Sequence, residues 1–121
     1  MSQKIDRLRV YEKYGGHCGY CGKELKTAKD MQVDHITPKW MVNNKFLVLP
    51  DINDINNLMP ACRSCNHYKR GDDLEQFRSK MKTLHERVCS HYIGKVALDY
   101  SIVEIKPFTG FFYFELYSKN T

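Results

Sequence analysis

Two cysteine pairs constrain this chain more than anything else in it: CGYC at Cys18 and Cys21, and CRSC at Cys62 and Cys65. Two residues between cysteines let one tight knuckle turn both sulfurs toward the same ion. Four thiolates close a tetrahedral zinc shell and leave no open position, so the pattern points to a structural zinc, not a catalytic one. Such an ion contributes directly to folding free energy. That suits a chain of 121 residues, which can bury only a modest core. About forty residues separate the pairs, more than in ribbon-type zinc sites, so a sizeable insert must lie between the knuckles. A thioredoxin-like reading of CGYC lacks the βαβ pattern it needs, while an iron–sulfur cluster or four ordinary thiols stay open. Cys89 stands alone and reads as a plain helix residue.

The length predicts one domain. The start, MSQKIDRLRV, is charged and has no apolar stretch of the kind a secretory signal requires. No apolar run is long enough to span a membrane. A cytoplasmic protein is the expectation, and in a reducing compartment grouped cysteines favour metal over disulfides. Nineteen Lys and Arg against fourteen Asp and Glu leave a formal charge of +5, which fits a nucleic-acid partner without demanding one.

Along the chain, Ile5, Leu8 and Tyr11 share a helical face, which predicts a helix over 3–14 that stops at Gly15 and Gly16. The stretch DMQVDHITP begins as a strand with Met31 and Val33 on one face, and Pro38 marks its end. Residues 40–56 read as a long loop with a short strand or turn at FLVL. The second knuckle, 57–71, opens a helix. A longer helix is predicted over about 72–91 from Leu74, Phe77, Met81, Leu84 and Val88. The tail, SIVEIKPFTGFFYFELY, reads as two strands joined by a turn at PFTG. The fold class is therefore α+β: a small zinc-stapled core over 1–71, with a helix and β-hairpin extension over 72–121 packed on it.

The insert holds an acid directly before a histidine, Asp34-His35, inside VDHITP. A zinc site on both sides would pin that segment and set Asn66 just after the last knuckle, which could bring Asp34, His35 and Asn66 together. The ordered motifs C-x2-C, V-D-H-I-x-P and N-L-x-x-x-C-x-x-C-N-x-x-K resemble the HNH endonuclease superfamily, the ββα-metal nucleases. The resemblance spans roughly Val10 to Gly71. It implies a ββα-metal fold, with His35 as the first His of the motif and Asn57 as the middle Asn. Asn66 then stands where the last His would be, an HNN variant similar to the phage Holliday-junction resolvase branch. His67, adjoining Asn66, is the alternative ligand.

The residue types agree with that implication. Phosphodiester hydrolysis needs a nucleophile made from water and charge stabilisation at the leaving oxygen. A neutral imidazole can take the proton of water near neutral pH, which gives His35 the role of general base. Mg²⁺ or Mn²⁺, held by the Asp34 carboxylate and the Asn66 amide oxygen, would meet the phosphate with room left for water. Asn57 would orient the loop and hold His35 in its tautomer. DNA is the expected partner, with Lys39, Arg63, Lys69 and Arg70 as candidate phosphate contacts because they flank the motif; Lys4, Arg7, Arg9 and Lys13 make the first helix basic too. A catalytically silent zinc DNA-binding module and an HNH-type ribonuclease remain as alternatives. The apolar helical stripe and the aromatic FFYFELY leave a homodimer open. Target sequence, nicking against double-strand cleavage, and a phage, restriction or mobile-element setting are not legible in the residues.

Overall fold

The computed structural model describes residues 3–43 and 51–117. Its helices are α1 (Arg7–Glu12), α2 (Lys39–Asn43), α3 (Arg63–Lys69), α4 (Leu74–Lys82), α5 (Leu84–Ser90), α6 (Tyr92–Asp99) and α7 (Tyr113–Leu116). Its strands are β1 (Gln32–His35) and β2 (Leu58–Ala61), a two-stranded antiparallel sheet. The mixture is that of a small α+β, ββα-type fold. The FLVL stretch expected as a strand or turn lies outside the described residues. Among the described residues no helix is long and apolar enough to cross a membrane.

The chain divides into two compact units, Met1–Leu74 with Phe112–Thr121, and Glu75–Phe111. In the first unit β1 pairs with β2 in a register that sets Asp34 opposite Met59 and His35 opposite Leu58. Pro60 has no N–H to give the ladder. Its carbonyl instead accepts from Gly19 N at 2.8 Å, which ties the first knuckle to the strand. Gly19 has to be glycine there: a Cβ would lie 2.1 Å from Met59 Sδ. Val10, Leu25, Met31, Leu58 and Met59 are buried in the core of this unit.

The first helix is shorter than the periodicity predicts, and it turns a different residue inward. Val10 is fully buried, whereas Leu8 is 59% exposed. Its orientation is set by polar anchors. Arg7 donates to the Ala28 and Met31 carbonyls at 2.9 and 2.8 Å, and Lys13 Nζ to those of Ile55 and Leu58 at 2.8 and 2.7 Å. Two of the four basic residues expected to charge this helix therefore hold loops in place.

The expected C-terminal β-hairpin is not what forms: residues 102–117 contain no strand and end in α7. The aromatic run has another use. Tyr113 N donates to Tyr20 O at 3.0 Å and Phe114 N to Gly19 O at 2.8 Å, so the backbone donors close over the first knuckle. Phe112 is buried edge-on to Tyr20, with ring centroids 5.4 Å apart, and Tyr14 packs edge-on to Tyr117 at 5.4 Å.

In the second unit the single long helix expected over 72–91 is broken into α4 and α5 at Thr83, and α6 follows after His91. Gly94 lets α6 approach α5 closely, since a Cβ there would meet Val88 O at 2.3 Å. Arg78 donates to Gly110 O at 2.6 Å and ties the segment after α6 back to α4.

Candidate active site and metal centre

The cysteines expected to share an ion do converge. One sulfur from each of Cys18, Cys21, Cys62 and Cys65 lies within 4.8 Å of the others, and Cys21 Sγ is 3.8 Å from Cys62 Sγ. Zinc–sulfur bonds of about 2.3 Å in a tetrahedron separate the sulfurs by about 3.8 Å, so the donor set fits zinc. Backbone amides support it: Lys23 N donates to Cys21 Sγ and Cys65 N to Cys62 Sγ, each at 3.4 Å. The second of these is also the N-cap of α3, so one sulfur serves the metal site and the helix start. As bare thiols, Cys18, Cys21 and Cys65 compete for ionisation. Hydrogen bonds from Cys21 and then Cys65 hold Cys18 low. The reciprocal contacts push Cys65 far up and Cys21 to about 11. A dication resolves that competition by favouring every thiolate at once. The four cysteines can hold a structural zinc.

That site fixes α3 against β1, and a buried polar cluster fills the space between them. Asp34, 6% exposed, accepts from Tyr20 O–H at 2.5 Å and pairs with Lys69 Nζ at 3.0 Å. Lys69 is fully buried and also donates to the His35 carbonyl at 3.1 Å. Both contacts to Asp34 fall on Oδ2. Burial pushes the Asp34 carboxyl above its ordinary range, against the pull of Lys69 and Tyr20. Burial, and next the Asp34 charge, raises Tyr20 as well, so its phenol keeps its proton and donates.

His35 projects from the same strand end and is half-buried. Its Nε2 lies 2.7 Å from Asn53 Oδ1. The orientation of that amide follows from its other end, where Asn53 Nδ2 donates to Gln3 O at 2.8 Å. The oxygen therefore faces the ring, Nε2 is the donor, and Nδ1 has no hydrogen-bond partner among the described residues. Asp51 buttresses the arrangement, accepting from Asn53 N at 2.9 Å and Gln3 N at 2.6 Å. Asn57, expected to orient the loop and hold the His35 tautomer, bonds to loop backbone. It accepts from Thr37 N at 2.8 Å and donates to the Thr37 and Ile52 carbonyls at 3.2 and 2.9 Å.

Residues 18–71 match the HNH endonuclease family model. The match begins and ends with the motifs that the four-cysteine cluster brings together. Comparison with the curated proteins and with the solved structures gives no match. The family suggests a nuclease.

Within the matched segment, Asn66 and His67 line an open polar cleft of about 410 Å³ together with Gln32 and Arg63. No hydrogen bond joins Asn66 and Asp34, which sit on the elements, α3 and β1, that Lys69 bridges. Of the residues expected on phosphate, Lys39, Arg63 and Arg70 are exposed. Lys69 is a correction: its ammonium is buried in the Asp34 ion pair and cannot reach a phosphate. Sequence reasoning also missed Tyr20 and Asn53. Tyr20 lay inside the first knuckle, and Lys69 one helical turn beyond Cys65, so a carboxylate buried beside that knuckle could have signalled both. Asn53, one of several Asn in an irregular loop, carried no such signal.

Proposed function

We propose that the HNH segment is a metal-dependent DNA endonuclease that hydrolyses phosphodiester bonds. The observation that carries this reading is the pose of His35: Asn53 holds Nε2 as the donor, which leaves Nδ1 as a base free to take a proton from water. Asn57 keeps the loop after β1 in place through its bonds to Thr37 and Ile52. Mg²⁺ or Mn²⁺ on Asp34 Oδ1 and the Asn66 amide oxygen, or on His67 in its place, would stabilise charge on the phosphate and leaving oxygen. Asp34 and Asn66 offer hard oxygen donors, and few of them, which suits an ion that keeps waters and binds phosphate. Arg63, Lys39 and Arg70 supply exposed positive charge for the DNA backbone.

A second reading is favoured by one observation. The Lys69 ammonium 3.0 Å from Asp34 already offsets the carboxylate charge, which weakens its hold on a divalent ion. On that reading the segment binds DNA and does not cut it. Supercoiled plasmid and a folded RNA, each with Mg²⁺, Mn²⁺ or EDTA, separate the readings when wild type is compared with His35→Ala at equal zinc content. Metal-dependent nicking or linearisation by wild type alone is the expected result. Binding without cleavage supports the silent module, and cleavage of RNA alone moves the substrate.

A further inference from the structure

The second unit exposes apolar side chains that nothing among the described residues covers. On α6, Tyr92 is 83% exposed, Ile93 80% and Val96 36%; Tyr100 just beyond it is 76% exposed, and Ile102 73%. Tyr92, Ile93, Val96 and Tyr100 fall on adjoining turns of one face, while Gly94 on another face meets α5. A monomer seldom leaves more than a few hundred Å² of contiguous apolar surface in water, and this stripe of four large side chains approaches that limit.

The charges beside the stripe say what covers it. Lys95 and Asp99 lie one turn apart along a single flank, both exposed, and neither has an ion pair among the described residues. In an antiparallel pair of helices related by a two-fold axis, residues equally far on either side of the axis face one another, and each flank meets the same flank of the other helix. An axis at the level of Ala97 therefore sets Lys95 opposite Asp99 of the second copy, and Asp99 opposite its Lys95. The same axis lays the Tyr92 end of one stripe along the Tyr100 end of the other. A parallel pairing would turn this flank toward the opposite flank of the second helix, so Lys95 and Asp99 would not face each other. The stripe and its flank are thus complementary to themselves.

We propose that α6 is a self-association surface on which a second copy of this chain docks antiparallel. The surface lies outside residues 18–71, and the test reads association, not cleavage, so it holds or fails independently of the nuclease reading. Sedimentation of the zinc-loaded full chain, without DNA, should show a dimer by about 100 µM. Lys95→Asp leaves two acids on each flank and Asp99→Lys two bases. Each variant alone should self-associate at least about tenfold more weakly. An equimolar mixture of the two should regain wild-type affinity as a heterodimer, because opposite charges again face each other. Both side chains are exposed, so circular dichroism and zinc content should not change. A wild type that stays monomeric, or that pairs only when DNA is added, would overturn the proposal. So would charge variants that associate as wild type does, or a mixture no tighter than its parts.

Discussion

Replacing Lys69 with Met keeps the buried stem and removes the charge. Asp34 would then sit 6% exposed with only Tyr20 as partner, and the His35 carbonyl would lose its charged donor. Removing one member of a buried pair strands the other, at a cost of about 3–5 kcal/mol. For a chain of this length that corresponds to a fall in Tm of about 10–20 °C. The penalty depends on pH, and its sign follows from Asp34. Burial already raises this carboxyl above its ordinary value of 3.8, so the folded state favours the protonated form. A carboxyl raised in this way contributes stability below its unfolded pKa, and that contribution is lost as pH rises through the folded pKa. Without Lys69 the folded pKa rises further. The deficit of Lys69→Met against wild type should therefore be largest at mildly alkaline pH and shrink as the solution is acidified. Urea unfolding of zinc-loaded protein at several pH values reads this directly. The double variant Lys69→Met/Asp34→Asn removes both charges and should recover most of the loss. A loss below about 1 kcal/mol, a deficit that grows on acidification, or a double variant no more stable than Lys69→Met would refute the ion-pair account.

The remaining expectations concern the metal, the base and its support. Cys62→Ser removes a zinc ligand while its hydroxyl can still cap α3, so zinc content should fall and the cooperative unfolding transition disappear, as it should on chelation of wild type; calorimetry beside metal analysis checks both. His35→Ala should abolish plasmid cleavage yet cost only about 0.5–1.5 kcal/mol of stability, the worth of its one side-chain hydrogen bond to Asn53. Asn53→Ala and Asn57→Ala should part company. The first should lower kcat about tenfold or more, with nitrogen NMR showing both neutral tautomers of His35. The second, which orphans three loop hydrogen bonds, should cost about 1–3 kcal/mol and leave the Nε2–H tautomer in place.

The zinc knuckles, β1 with its Asp34-His35 pair and the start of α3 were legible because local rules set them. Cysteine spacing fixes which sulfurs can share an ion, and alternation ended by a proline marks a strand. The C-terminal hairpin was misread for a related reason. Aromatic alternation is a good strand signal, but Phe112, Tyr113 and Phe114 meet the first knuckle across most of the chain's length, and their contacts there outweigh the local preference.

The sequence by itself therefore determined the chemistry on offer: four thiolates at metal spacing, and an acid, a base and an amide near them. Only the tertiary structure decided which partners those groups take. Lys69 reads as one more surface cation until α3 is laid on β1, and then it is the counterion of Asp34. Asn53 reads as loop until Gln3, fifty residues earlier, turns its amide oxygen toward His35. Residue type limits which bonds a side chain can make, but burial and neighbours brought from distant parts of the chain select among them.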